Sequence, residues 1–535
     1  MKKLIFLSVI ALGCLVTLSH RSVLSAQSSV DDLNGQINKI GQALFYIREY
    51  YLDTLDSNAF VDDLLERMVE RLDPHSAFIP EKDVKAINEP FEGNFEGIGI
   101  EFTIIRDTLV VAQPVAGAPS EKVGVRADDR IVAVDGEDIC NPDLNNQKVY
   151  SLLRGPKGTR VALKVIRPGE PEPLYFEVVR DKIPITSIDA SYMAAPGVMY
   201  IKLNKFALTT QEEFINAFRD LSEKPRGLII DLCGNSGGML GAALFLAEQF
   251  LQKDQLILYT EGANMPRQDI KATGNGFFTE IPVVIMIDEG SASASEIVAG
   301  AIQDWDRGVV VGRRSFGKGL VQQAFTLRDG SELRLTIARY HTPSGRVIQS
   351  PYKLGEKDAY YSEFLQRYLR GEQFSADSIQ IPDSLAFKTL RDGRTVYGAG
   401  GIMPDVFVPA DTTFYSGFYF NLVRRGIIND FMNSYLDVER KDLTAVFSGL
   451  DDFEKGFGTD DVPFEELLSF AQSRDVVPGE GDLAASEQEI RLQVKGLIAG
   501  RLYGPAGYYR IVNPGLPVFR KALEVMNGMI SPPSR

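Results

Sequence analysis

The spacing of apolar and polar residues changes several times along the 535-residue chain, and each change predicts a different kind of element. From Val30 to about Asn88, "INKIGQALFYIREYYLDTL" and "AFVDDLLERMVERL" place apolar residues three and four apart with charges between them, the period of amphipathic helices. The pattern stops at "LDPHSAFIP", where Pro74 and Pro80 interrupt it. From Phe91 to about Lys182 short β-branched runs alternate with turn residues ("GIGIEFTII", "TLVVAQPV", "DDRIVAVDGEDI", "RVALKVIR", "LYFEVVR"), and two helical patches, "APSEKVG" and "NQKVYSLL", lie among them. From Ile185 to about Val408 strands and helices alternate, and near-continuous apolar strands such as "GLIIDL" and "PVVIMID" predict a sheet covered on both faces. Beyond Asp411 the spacing is mainly helical again and carries no chemical motif. The shifts divide the chain into residues 27–90, 91–183, 184–410 and 411–535, in keeping with roughly 100 to 200 residues per domain.

Composition narrows the function. Apolar residues at 44% and charged residues at 24% are those of folded material. Residues 1–26 join Lys2 and Lys3 to an apolar run, Leu4 to Leu18, and to small residues at Ser25 and Ala26, the parts of an export signal. That run falls short of the roughly 20 residues of a comfortable membrane span, so cleavage near Ala26 is expected, with a retained N-terminal tether as the alternative. Cys14 fits a lipoprotein signal poorly, because the apolar run continues past it. The expected location is periplasmic, or membrane-anchored facing the periplasm. Losing residues 1–26 removes Lys2, Lys3 and Arg21 and takes the net charge from −15 to −18, which argues against nucleic acid as a partner. Cys140 and Cys233 are too few for a disulfide framework and lack metal-ligand spacing; they read as buried thiols that an exported chain could also pair.

"GIGIEF", "PVAGAPSEKVGVRADDRIVAVDGEDI" and "LLRGPKGTRVALKVIRPG" together resemble a PDZ domain. The physics is independent of the name: Gly97, Ile98, Gly99 and Ile100 form a glycine-flanked loop that can turn successive N–H groups toward a carboxylate, and the strand that follows offers an edge to an extended peptide. Such a module would read a chain end.

"IDEGSASASEIVAG" (287–300) sets Ser291, Ser293 and Ser295 on alternate positions where an apolar strand gives way to a helix, a turn that can present a hydroxyl. Spacing alone does not choose between Ser291 and Ser293. Outside the signal the histidines are His75 and His341, either of which could serve as a base, while two histidines and two unspaced cysteines make a poor zinc site. The other base is Lys318, between Gly317 and Gly319 in "RRSFGKGLVQQAF". A lysine base must be neutral, so its pKa has to fall from about 10.4 to about 7 or 8, roughly 4 kcal/mol of desolvation borne by the fold.

"GSASASEIVAGAIQDWDRGVVVGRRSFGKGLVQ" resembles the active-site segment of the carboxy-terminal processing peptidases, tail-specific serine proteases with a Ser–Lys dyad. The likeness extends through "LRDGSELRLTIARYHTPSGRVIQ", "LIIDLCGNSGG", the PDZ-like module and "LDPHSAFIP", over roughly residues 35 to 408. It implies Ser293 as nucleophile, Lys318 as base and Gln322 as the amide that orients the amine. Gln322 lies four residues on, on the same face of a strand, and brings no counter-charge. Ser291 and Ser295 then read as turn and capping residues, and Asp304 as structural. "DLCGNSGG" precedes a helix and suits an oxyanion hole, with Gly237 or Gly238 joined by the amide of Ala294. Here the chain departs from the family's usual "DLRGNPGG": Cys233 stands where arginine is common and Ser236 where proline is.

The resemblance thus implies a multidomain α/β protein: a crotonase-like protease core with an inserted-type PDZ domain and helical regions at both ends. It implies an exported serine endopeptidase acting on protein or peptide substrates with a free C-terminus, without metal or organic cofactor. The helical regions leave room for self-association. Two rival readings keep the fold and lose the chemistry: an inactive PDZ scaffold and a pocket for an apolar ligand.

Overall fold

Helices 32–50 and Ser57–Glu70 realise the apolar spacing of the N-terminal segment. The second begins at Asp56, whose carboxylate accepts the N–H groups of Asn58 and Ala59, a side-chain N-cap. The computed structural model describes residues 32–530 apart from 116, 220 and 222, so the export signal expected over residues 1–26 lies outside the described residues. Among the described residues no helix is long and apolar enough to cross a membrane.

Two compact units divide between Arg71 and Leu72. Within the expected helical region 27–90, the turn at 73–76 and the helix Glu81–Glu92 belong to the second unit. The cause is the Asp73 carboxylate, which accepts the N–H groups of His75 and Ser76 at 3.0 Å and the hydroxyls of Ser76 and Thr336 at 2.5 and 2.8 Å. The strand Ala77–Ile79 then pairs antiparallel with Glu332–Arg334 of the long strand Glu332–His341.

Residues 94–184 are entered and left by a two-stranded ribbon, Asn94–Gly97 against Asp181–Pro184. Between them five strands follow the order Ile100–Ile105, Thr108–Pro114, Arg130–Val134, Arg160–Ile166, Leu174–Val179, around a core that includes Ile98, Val111, Ile131, Val149, Leu163 and Val178. Alternate residues of Arg160–Ile166 are buried and exposed, as a sheet with one packed face requires.

The main sheet runs Ile188–Ala195, Val198–Leu203, Gly227–Asp231, Val283–Ile287, Val309–Gly312, Val406–Phe407, parallel from the second strand onward. Its central strands are buried throughout, as the continuous apolar runs predict. Helices Leu240–Glu248 and Ala294–Asp304 cover one face. The other face is covered from far along the chain, by Phe519, Ala522 and Met526 of the helix Pro517–Ile530. A second sheet joins Ala77–Ile79, Glu332–His341, Leu256–Gly262 and Met265–Lys271, with Leu320–Thr326 also on Glu332–His341. The remaining C-terminal helices build their own core around Phe418, Met432, Phe453, Leu467 and Ile498. Ion pairs join them to the PDZ-like sheet: Arg130 to Asp437 at 2.8 Å and Arg440 to Asp128 at 3.5 Å.

Candidate active site

Ser293 ends the turn between strand Val283–Ile287 and helix Ala294–Asp304, with φ 55° and ψ −109°. A serine at positive φ is strained by about 1–3 kcal/mol and persists only where its surroundings fix it. Here the Glu296 carboxylate accepts the Ser293 N–H at 2.8 Å, and the Tyr340 hydroxyl donates to the Ser293 carbonyl at 3.2 Å. Ser293 is thus itself the N-cap. Ser295, expected to cap, lies inside the first turn and donates its hydroxyl to the Asn235 carbonyl at 2.8 Å. Ser291 does occupy the turn, its hydroxyl donating to the Leu232 carbonyl at 2.8 Å.

Ser293, Ala294, Lys318, Gln322 and Gly238 line one cavity of about 550 Å³, together with apolar Met239, Leu240, Ile297 and Leu320. Lys318 Nζ donates to Gln322 Oε1 at 2.9 Å, and burial holds the amine's pKa below the ordinary lysine value. Among the described residues no hydrogen bond joins the amine to Ser293 Oγ. The reach from 318 to 322 is not the simple strand alternation expected. Lys318 precedes the strand Leu320–Thr326, and a bulge between Val321 and Gln322 shifts the register and re-aims the amide. The other end of that amide donates to the His75 carbonyl at 2.5 Å.

Sequence reasoning missed the groups that bind the two halves of this site together. The buried Glu296 carboxylate accepts four donors: the N–H groups of Ser293, Gly317 and Lys318 at 2.8, 2.7 and 2.9 Å, and the Ser315 hydroxyl at 2.5 Å. Burial pushes its pKa up to about 7 against those bonds. The single Tyr340 hydroxyl proton is shared between the carbonyls of Ser293 and Lys318, at 3.2 and 2.9 Å. The main chains of serine and lysine are therefore held from both sides. Ser293 and Glu296 stand at the spacing of a capping box, a signal present in the sequence; Tyr340 has none.

Of the expected oxyanion donors the structure separates one from the rest. The Gly237 N–H is taken by Asn235 Oδ1 at 2.9 Å, an Asx turn, so it is not a donor for substrate. The N–H groups of Gly238 and Ala294 meet no acceptor among the described residues, and both residues line the cavity. Gly237 is needed for close approach instead: a Cβ there would lie 2.8 Å from the Ser293 Cβ and 3.0 Å from the Ala294 nitrogen.

In the PDZ-like module Ile98 is 2% exposed, its side chain in the core, so only its main chain can serve a ligand. The Ile98 and Gly99 carbonyls turn toward Ser120 and Val115. Their N–H groups find no acceptor among the described residues, and Gly99 has φ 77°. Ile100–Ile105 is an edge strand, and Phe102 meets Tyr150 of the helix Asn146–Leu153 edge-on at 5.6 Å.

The other candidates fall outside the cavity. His341 stacks on Tyr259 with ring centroids 4.3 Å apart. His75 touches the site through its carbonyl, while its ring meets the Tyr360 hydroxyl at 3.1 Å; burial first, and the Lys318 charge second, lower its pKa to about 4. Asp304 pairs with Arg346 at 2.7 Å, both fully buried. Cys140 and Cys233 are free thiols, and Cys140 is exposed, contrary to the expectation of burial. Burial and the Asp231 and Asp288 carboxylates push the Cys233 thiol well up, which makes it a poor rival nucleophile. Among the described residues no three His, Cys, Asp or Glu side chains gather as metal ligands.

Known proteins share parts of this chain. The profile of Peptidase family S41 matches residues 197–353, that of the PDZ domain residues 110–167, and that of a family of unknown function, DUF8443, residues 418–504. The carboxy-terminal processing protease CtpB of Bacillus subtilis is 34% identical over 316 residues, 58% of this chain and 65% of the relative, so the match spans just under two thirds of that protein. The carboxy-terminal-processing protease of Bartonella bacilliformis is 34% identical over 322 residues, 59% of this chain and 73% of the relative. Among solved structures, the photosystem II D1 C-terminal processing protease is 28% identical, covering 70% of this chain and 88% of its own, with a TM-score of 0.36. With this identity sustained over more than two thirds of a relative, the chain belongs to the carboxy-terminal processing proteases, serine peptidases of family S41 with a PDZ domain.

Proposed function

We propose that this protein is an exported endopeptidase that cleaves protein substrates near their C-termini with a Ser293–Lys318 dyad on a crotonase-like core. Neutral Lys318 takes the proton from Ser293 Oγ as the hydroxyl attacks the scissile carbonyl. The N–H groups of Gly238 and Ala294 receive the oxyanion, and the ammonium returns its proton to the leaving amine to give an acyl-enzyme. Water, deprotonated by the same amine, then releases the shortened product. The PDZ module, taken as residues 91–183, receives the free carboxylate on the amides of Ile98 and Gly99 and the extended chain on the edge strand Ile100–Ile105.

The observation that carries this reading is the environment of one amine: Lys318 Nζ has a neutral amide as its hydrogen-bond partner, is desolvated, and lines the same cavity as Ser293. Export is supported by the composition of residues 1–26.

The test is turnover of an unfolded protein substrate by Ser293→Ala and Lys318→Ala. Each variant should lose about 10⁶-fold in kcat, the loss typical of removing the nucleophile or the base of such a unit, while still binding a C-terminal peptide. Cleavage by either variant at the wild-type rate would eliminate the dyad.

A further inference from the structure

The loop that carries Gly238 is anchored by a buried cation from a neighbouring strand. Lys202 and Asp231 are register partners at the ends of the parallel strands Val198–Leu203 and Gly227–Asp231. Their side chains are 9% and 7% exposed, and Lys202 Nζ lies 3.2 Å from Asp231 Oδ1. The same ammonium donates to the Cys233 carbonyl. Asp231 Oδ1 also accepts the Cys233 N–H at 2.8 Å, and Oδ2 accepts the Tyr200 hydroxyl at 2.5 Å. One ion pair therefore holds both peptide groups of residue 233, where the chain leaves the strand for the loop.

From there the restraints run directly to the serine. The Gly234 N–H donates to Asp288 Oδ1 at 2.8 Å. The Asn235 carbonyl accepts the Ala292 N–H at 3.0 Å and the Ser295 hydroxyl at 2.8 Å. The Asn235 amide donates to the Leu203 carbonyl, next to Lys202, at 2.9 Å. Residue 233 sets where this loop begins, and Gly238 lies five residues on.

A buried carboxylate with hydrogen bonds but no counter-charge is costly, so Asp231 needs a cation. Position 233, close by in the loop, supplies only a thiol. Cys233 borders a cavity of about 410 Å³, with Lys202, Asp231 and Gly234 on the sheet side and Tyr509 and Asn513 on the C-terminal side.

We propose that Lys202 is a positioning residue for the oxyanion hole: across the sheet, its ammonium gives Asp231 the cation that residue 233 does not, and so holds the loop that aims the Gly238 amide at the reacting carbonyl. This rests on the serine-peptidase reading above.

The test is steady-state cleavage of a C-terminal peptide substrate by full-length Lys202→Met, Cys233→Arg and the double variant, with thermal melting and affinity for a peptide boronate that forms a tetrahedral adduct on the serine. A misplaced donor should lower kcat of Lys202→Met by about 10- to 100-fold, with KM within about twofold, since one oxyanion donor is worth about 10²–10³. Boronate affinity should fall in parallel, and the pH profile of the remaining activity, set by Lys318, should not move. In the double variant the new guanidinium enters the cavity beside Asp231, and kcat should recover to within about fivefold of wild type. A folded Lys202→Met that keeps kcat within threefold overturns the proposal, and so does a double variant no more active than Lys202→Met. If the single variant does not fold, the double decides alone: activity supports the proposal and its absence overturns it. Failure of the dyad shows separately, as activity in Ser293→Ala.

Discussion

Lys202 and Lys318 are both carried into the protease core, and their amines meet opposite surroundings. Burial opposes the ammonium at each. At Lys202 burial is the largest single influence, but the Asp231 carboxylate, 3.2 Å away, together with Cys233 and Asp288 outweighs it and holds the pKa above the ordinary lysine value. At Lys318 the hydrogen-bond partner is the Gln322 amide, the carboxylates of Glu296 and Asp73 act only at a distance, and the pKa is lowered. In the proposed mechanism one lysine is an anchor and the other a base, and the difference lies in the charges set beside each amine. Lysine's single positive charge, unlike arginine's, can be given up when desolvation outweighs its partners.

The comparison breaks most directly at Gln322. Gln322→Glu would place a carboxylate beside the Lys318 amine and make it resemble Lys202. An opposite charge at that range raises a lysine pKa by 1–3 units, so kcat at neutral pH should fall by up to about 10³ and recover as pH rises. A rate–pH profile superimposable on wild type would show that amine charge does not set the rate.

The next largest effect concerns His75, whose carbonyl holds the far end of the Gln322 amide. Its pKa is lowered to about 4 by burial and by the Lys318 charge, so the unfolded chain binds a proton in a window where the folded chain does not. Stability from this group is complete above about pH 6.5 and is lost as pH falls toward 4, to a total of about 3 kcal/mol. Relative to His75→Asn, wild type should lose that much more stability across this window in denaturant titrations. Parallel pH dependence in the two proteins would remove His75 from the acid response.

The smallest effect tests the same pairing at the surface. Arg130 and Asp437 join the PDZ-like sheet to the C-terminal helices at 2.8 Å with side chains 35% and 19% exposed. Asp437→Asn should cost about 1 kcal/mol or less, and the difference should shrink in high salt. A loss as large as that from breaking the Lys202–Asp231 pair would mean that burial does not distinguish the two pairs.

Much of this architecture was legible because its signals are local. The continuous runs "GLIIDL" and "PVVIMID" fold as the buried strands Gly227–Asp231 and Val283–Ile287, and the serine turn falls where the apolar run meets the helix. The choice between Gly237 and Gly238, open in the motif, has a local signal in "NSG", an asparagine two residues before the glycine whose N–H it takes. Glu296 stands three residues after Ser293, a local capping-box signal. Tyr340, the His75 carbonyl and Lys202 had no such signal. They reach the site from 22, 247 and 31 residues away from their respective partners Lys318, Gln322 and Cys233.

The amino-acid order by itself determined the periods of helix and strand and the position of the serine turn, while the choice of Ser293 and Lys318 rested on the family resemblance. The periods and the turn depend on side-chain spacing and backbone freedom within a few residues. Only the tertiary structure decided which lysine has an amide and which a carboxylate beside it, which loop N–H is taken internally and which helix closes the far side of the main sheet. Charge state and free hydrogen-bonding capacity depend on every group within a few ångströms, and in a folded chain those neighbours arrive from distant segments.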